Sequence, residues 1–215
     1  MSKPVSKRGN TRRPVVVNHC NVYIEAQDTQ RKLCAVHALN HVVAQGLFTS
    51  QRTSDVILPR PDGGRLVNVR AIAAEEDPSR TLQDSGDFST DTVKQCLQLV
   101  GCSCVALYPT DFENSFDAML RMCLDQPSFL GCIACNDVHY ITLRSLGPAK
   151  RPDGRAHLRF MDSAQAQTVL WPLAEVKQRL VDSFCNYGTH GNCIVIFVCL
   201  TDAAQHDWHI QAAGQ

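Results

Sequence analysis

The order of the periodic patterns constrains this chain most, because helical patterns fill its first half and strand patterns its second half. Apolar residues recur at helical spacing over residues 33–45, 51–58, 66–76, 89–100 and 112–124. Apolar or alternating runs predict strands at 102–108, 129–135, 138–146, 155–162 and 193–200, with a further helix at 173–184. This segregation favours an α+β fold with an antiparallel sheet over alternating βαβ units.

Charge divides the chain into a basic tail and a mildly acidic body. The first 13 residues contain five basic side chains, and no acidic residue precedes Glu25. Beyond residue 13 the chain has sixteen basic and twenty-one acidic residues, which gives a net charge of −5. We therefore predict a disordered tail at 1–18, a single domain at 19–203 and a short tail at 204–215. The acidic body argues against nucleic-acid binding and suits a basic ligand.

The cysteines indicate a reducing compartment. The chain has eleven of them, an odd number at irregular spacing, and its first residues are polar and basic rather than a signal peptide. The longest apolar run, residues 193–200, is too short to cross a bilayer. We expect reduced thiols, a cytoplasmic or nuclear location, no membrane association and a monomer.

Two strand patterns form a predicted hairpin around residues 147–154. Pairing residue 146 with residue 155 places His139 opposite Asp162 and Leu143 opposite Leu158, on one largely apolar face. A slip by one residue would bury Arg144 or Arg159, so the faces are well specified; the other face is predicted to be solvated. An aspartate beside a histidine accepts its Nδ1–H and stabilises the imidazolium, although the pair could also be an incidental ion pair at a strand end.

Cys34 is the candidate nucleophile for such a pair. It lies near the start of the helix predicted at 33–45, where the helix dipole and a nearby imidazolium favour the thiolate. The helix pattern alone is equally compatible with an inert core cysteine.

Two cysteine–histidine sets offer a metal site as the competing interpretation. Cys34, His37 and His41 share one helical face, and Cys132 and Cys135 precede His139 at short spacing. Each set lacks a clear fourth ligand and neither has a recognised structural zinc spacing, so we predict neither metal nor cofactor.

Four blocks of sequence resemble the Josephin family of papain-like deubiquitinating cysteine proteases. They are Tyr23-Ile-Glu-Ala-Gln with Leu33-Cys-Ala-Val-His-Ala-Leu-Asn, Asp84-Ser-Gly-Asp-Phe-Ser, Val138-His-Tyr-Ile-Thr-Leu-Arg and Phe160-Met-Asp-Ser. The blocks occur in the family's order over about residues 20–200. The resemblance implies a papain-like fold in which the catalytic cysteine lies on a helix packed against an antiparallel sheet, with a variable helical arm at 50–80.

The resemblance also implies the catalytic roles. Cys34 would be the nucleophile, His139 the general base and acid, and Asp162 the residue that orients the histidine. The oxyanion-hole glutamine would be Gln27, with Gln30 as the alternative, because neither has the family's spacing to the cysteine.

The implied activity is hydrolysis of (iso)peptide bonds at the C-terminus of ubiquitin through a thioester at Cys34, with ubiquitin and ubiquitinated proteins as partners. The alternatives are a catalytically silent ubiquitin-binding module with the same fold and a general papain-like protease.

Overall fold

The computed structural model describes residues 33–76, 88–136, 139–146, 157–165, 168–183 and 193–201. The predicted tails at 1–18 and 204–215 lie outside the described residues, as do Gln27 and Gln30. None of the helices in the described ranges combines the length and the hydropathy that a membrane span requires.

The described residues contain five α-helices, which follow the predicted order. They are α1 (Cys34–Val43), α2 (Val69–Glu76), α3 (Thr90–Leu99), α4 (Pro109–Leu124) and α5 (Val176–Ser183). Ser89 is the N-cap of α3, and its hydroxyl accepts a hydrogen bond from the Thr92 N–H at 3.0 Å. Pro109 occupies the first turn of α4, where its missing N–H costs no helical hydrogen bond.

Within the part of the chain that the structure describes, nine strands form two sheets. The strands are β1 (Phe48–Thr49), β2 (Ile57–Pro59), β3 (Arg65–Asn68), β4 (Cys102–Leu107), β5 (Phe129–Cys135), β6 (Tyr140–Ser145), β7 (His157–Met161), β8 (Thr168–Pro172) and β9 (Ile194–Leu200). The main sheet has the order β4-β9-β5-β6-β7-β8, and every neighbouring pair in it is antiparallel. The predicted α+β class and antiparallel sheet are confirmed.

Helices cover both faces of the main sheet. One apolar core joins α1, α2 and α3 to one face, and a second core joins α4 and α5 to the other. Side chains along β5 alternate between the two, because Ile133 and Cys135 belong to the first core while Cys132 and Ala134 belong to the second. The central strands are therefore continuously apolar rather than alternating.

Residues 51–76 differ from the two helices that were predicted there. Residues 57–68 form the β2–β3 hairpin around Gly63, whose φ of +82° a side chain would resist, and only residues 69–76 are helical. Asn68, fully buried, fixes the preceding loop: its amide donates to the carbonyls of Gln51, Thr53 and Asp55. Turn chemistry and this buried amide outweigh the helical spacing, so the arm is helical only in part.

The β6–β7 hairpin was predicted on the correct faces but in the wrong register. Leu143 pairs with Phe160 rather than Leu158, a shift of two residues, which leaves the same side chains on the same face. The opposite face is not solvated as predicted, because α1 covers part of it. Thr142 is fully buried there and donates to the Ala38 carbonyl of α1 at 3.0 Å.

Strand β8 was not predicted. It has only five residues, two of its apolar side chains are exposed, and it forms the edge of the sheet, where Pro172 is tolerated. It is positioned by Trp171, whose ring stacks on Phe160 with the centroids 4.3 Å apart.

A substitution at Gly131 can test how closely β5 and β6 pack. Its φ is +149°, and a Cβ there would strike the Leu143 carbonyl oxygen and lie 2.8 Å from the Cα of Arg144. We predict that Gly131→Ala lowers the free energy of unfolding by roughly 3 kcal/mol, measured by urea denaturation. Gly63→Ala is the matched control, since it has positive φ but open space, and should cost only about 1 kcal/mol. Equal losses for both variants would contradict the close strand approach.

Candidate active site

The fold brings Cys34, His139 and Asp162 to one edge of the main sheet. Cys34 is the first residue of α1, His139 immediately precedes β6, and Asp162 immediately follows β7. Because β6 and β7 are antiparallel neighbours, the start of one lies beside the end of the other. Helix α1 packs on β6 through Thr142 and places its first residue at the same edge.

His139 and Asp162 form an ion pair through the ring nitrogen that was not expected. Nε2, rather than the predicted Nδ1, lies 2.8 Å from Asp162 Oδ1. Continuing the observed register past Met161 places Asp162 opposite Ile141, so it reaches His139 diagonally rather than from directly opposite.

The other ring nitrogen faces the thiol. His139 hydrogen-bonds with the side chain of Cys34 as well as with Asp162, and since Nε2 is engaged by the carboxylate, Nδ1 is left for the sulfur. Cys34 is almost fully buried, at 3% exposure, whereas the His139 side chain is 23% exposed. The three groups therefore form a chain from sulfur through imidazole to carboxylate.

The local electrostatics favour the imidazolium. Burial lowers the pKa of His139, but hydrogen bonds to Asp162 and Cys34 outweigh it and raise that pKa to about 9. Burial likewise raises the pKa of Asp162, yet the hydrogen bonds from His139 and the Ala164 N–H hold it below its usual range. His41, buried on α1, adds a further positive influence on the carboxylate.

Asn136 fixes the backbone of His139 and was missed in the sequence. Its Oδ1 accepts from the His139 N–H at 2.8 Å, and its own N–H donates to the His139 carbonyl at 3.1 Å. The signal was available, because an asparagine between two predicted strands, three residues before the histidine, is a turn-forming residue whose side chain bonds nearby backbone. Asn136 thus sets where the imidazole leaves the sheet.

The structure gives the metal interpretation no geometric support among the described residues. No group of three or more His, Cys, Asp or Glu side chains there has a metal-binding arrangement. Cys132 and Cys135, which the sequence offered as ligands together with His139, belong to the cores on opposite faces of β5.

A comparison with family models decides the relationship. The Josephin model matches residues 29–184, well over half of the chain. The chain belongs to the Josephin family. The matched residues include Cys34, His139, Asp162 and Gln30, whereas Gln27 lies just before them. The family resemblance is confirmed, and the chain is a member of a cysteine-protease family.

Other comparisons add less. None of the curated proteins matches the chain significantly. Among solved structures, a crystal structure of a double glycine motif protease from an AMS/PCAT transporter, in complex with the leader peptide, is 15% identical. The match covers 86% of this chain and 97% of that one. Its TM-score of 0.38 is too low to relate the two in detail.

The ion pair can be tested by titrating His139. We predict that NMR of the intact chain gives His139 a pKa of about 9, and that Asp162→Asn lowers it because the carboxylate charge is lost while an oxygen acceptor remains. Asp111→Asn, an exposed carboxylate in the first turn of α4, is the control and should change nothing. An unchanged His139 titration in Asp162→Asn would show that the carboxylate is not coupled to the ring.

Proposed function

We propose that this chain is a deubiquitinase. It hydrolyses (iso)peptide bonds after the C-terminal glycine of ubiquitin through a thioester at Cys34. The observation that carries the proposal is the contact of one imidazole with both a thiol and a carboxylate, in a chain of the Josephin family.

The reaction follows from that contact. The Cys34 thiolate attacks the carbonyl carbon of the terminal glycine, and the His139 imidazolium donates its Nδ1 proton to the leaving amine as the C–N bond breaks. Neutral His139 then takes a proton from water, whose oxygen attacks the thioester carbonyl and releases the ubiquitin carboxylate and the Cys34 thiolate. Asp162 keeps the ring oriented and stabilises its positive form in both halves of the cycle.

The tetrahedral oxyanion needs hydrogen-bond donors beside the sulfur. Cys34 begins α1, so backbone N–H groups without helical partners surround it. We propose that a backbone N–H there and the amide of Gln27, or alternatively Gln30, donate to the oxyanion.

The choice of ubiquitin as substrate is supported by charge. The body of the chain beyond residue 13 carries a net charge of −5, which complements the basic C-terminal tail of ubiquitin. All nine cysteines in the described residues are free thiols, which supports a reducing cytoplasmic or nuclear location. We propose that the enzyme acts there as a monomer, on ubiquitin and ubiquitinated proteins, without a metal or cofactor.

One observation favours a second candidate, a ubiquitin-binding module without turnover. Cys34 is 3% exposed, so access of the glycine carbonyl to the sulfur requires a groove that opens over the first turn of α1. Binding of ubiquitin without cleavage of any di-ubiquitin would support the module. Cleavage of casein without any requirement for ubiquitin would instead indicate a general papain-like protease.

A ubiquitin probe with a C-terminal propargyl group tests the nucleophile. We predict that wild-type protein gains one covalent ubiquitin, that Cys34→Ala gains none, and that Cys104→Ala is labelled like wild type. Cys104 is the matched control because it is a half-exposed thiol away from His139. Equal labelling of any other cysteine would reject Cys34 as the nucleophile.

The pH dependence of hydrolysis tests the role of Asp162. The active form needs protonated His139, so the rate falls as pH rises through its pKa of about 9. Asp162→Asn lowers that pKa and should move the alkaline limb of kcat/KM to lower pH. Its maximal rate should fall less than in Asp162→Ala, where the ring loses its orientation and the loss is roughly 100-fold. If the alkaline limb of Asp162→Asn stays at the wild-type pH, the carboxylate of Asp162 has no role in the mechanism.

A further inference from the structure

A pair of half-exposed cysteines lies on the side of the sheet away from Cys34. Cys123 is in the last turn of α4, and Cys199 is the second-to-last residue of β9. Both pack against the core beneath α4 and α5, whereas Cys34 belongs to the core beneath α1.

The turn after α4 holds the two thiols together. The Gln126 N–H donates to the Cys123 carbonyl at 3.0 Å, and the Leu200 N–H donates to the Ser128 carbonyl at 2.9 Å. These bonds seat the turn against the end of β9. The side chains of Cys123 and Cys199 hydrogen-bond to each other beside this turn.

Polar neighbours make the two thiols unequal. Cys199 Sγ lies 3.8 Å from Gln126 Oε1, and its side chain also hydrogen-bonds with that of Ser128. The hydrogen bond from Cys123, assisted by Ser128, lowers the pKa of Cys199 to about 7 in spite of burial. The same contact and burial raise the pKa of Cys123. Cys199 is therefore the nucleophilic thiol and Cys123 the neighbouring thiol held ready beside it.

Four other described cysteines, Cys96, Cys102, Cys104 and Cys132, have thiols whose pKa is raised. Burial raises the pKa of both Cys96 and Cys102 to about 12 and places that of Cys132 well above its usual range. Cys104 is half-exposed, but burial raises its pKa as well.

We propose that Cys123 and Cys199 form a hydroperoxide-reactive dithiol that closes to an intramolecular disulfide. The Cys199 thiolate attacks the terminal oxygen of a hydroperoxide, the O–O bond breaks, and the sulfur becomes a sulfenic acid while the peroxide leaves as an alcohol or water. Cys123, losing its proton, attacks that sulfur and displaces hydroxide as the second water. Two thiols are oxidised and one hydroperoxide is reduced.

The bond would fasten the end of α4 to β9. Its formation brings the two sulfurs from hydrogen-bonding contact to the bond length of about 2.05 Å. The link joins two elements distant in sequence, so it restricts the unfolded chain and should raise Tm. It lies outside the proposed active site, and Cys34 is not required for it.

The experiment treats the reduced full-length chain with hydrogen peroxide, quenches with catalase, and maps free thiols by alkylation and mass spectrometry. We expect loss of alkylation at Cys123 and Cys199 and a cross-linked peptide pair 2 Da lighter than the two reduced peptides. Dithiothreitol should restore both thiols. Cys123→Ser should instead leave a Cys199 sulfenic acid that dimedone traps, and Cys199→Ser should slow oxidation of Cys123 at least about 10-fold. Cys104→Ser is the matched control and should retain the cross-link.

The wild-type chain alone can overturn the proposal, even where a variant fails to fold. Cys123 and Cys199 that stay alkylatable while Cys34 or another cysteine is oxidised would reject it. Conversion of Cys199 to sulfinic acid with Cys123 still free would reject it too, as would a cross-link between two molecules. Cys34→Ala should still form the disulfide. The outcome of this experiment is therefore independent of whether the chain has the proposed hydrolase activity.

Discussion

The packing of α1 on β6 is the interaction on which the proposed active site depends. Nine of the ten residues of α1 are buried, and the Thr142 hydroxyl ties the strand to the Ala38 carbonyl of the helix. Because His139 immediately precedes β6, the same contact that completes the core sets the distance between thiol and imidazole. Site geometry is therefore a consequence of core packing, and it is as rigid as that core.

The ion pair adjacent to this core is held by more than mutual attraction. Burial disfavours both charges, yet the imidazolium has a carboxylate on one nitrogen and a thiol on the other, and the carboxylate also accepts the Ala164 N–H at 2.8 Å. Fully satisfied hydrogen bonds are what allow a partly buried ion pair to persist. Asn136 likewise satisfies the backbone of His139, because it forms hydrogen bonds with both the N–H and the carbonyl of that residue.

Most of the helices and strands could be predicted, because their apolar residues recur at a spacing that distinguishes the face packed on the core from the opposite face. The Leu143 and Phe160 faces of the β6–β7 hairpin were correct, but a pattern of period two cannot distinguish registers two residues apart. That shift makes the contact with Asp162 diagonal. The contact also uses Nε2 rather than the expected Nδ1, a choice that depends on the side-chain rotamer and not on the strand pattern. The solvated face was wrong for a different reason, since its cover comes from α1, far away in sequence.

The remaining errors arise where tertiary contacts outweigh local signals. Residues 51–58 have helical spacing, yet the Asn68 side chain gathers three of their carbonyls and Gly63 turns the chain into a hairpin. No local pattern indicates that one buried amide will bind three backbone carbonyls of the preceding loop. The thiols show the same point: eleven cysteines look alike in the sequence, and only the turn after α4 makes Cys123 and Cys199 a pair. The reactivity of each cysteine in this chain depends on which helices and strands pack around it, and the number of cysteines in the sequence does not show that packing.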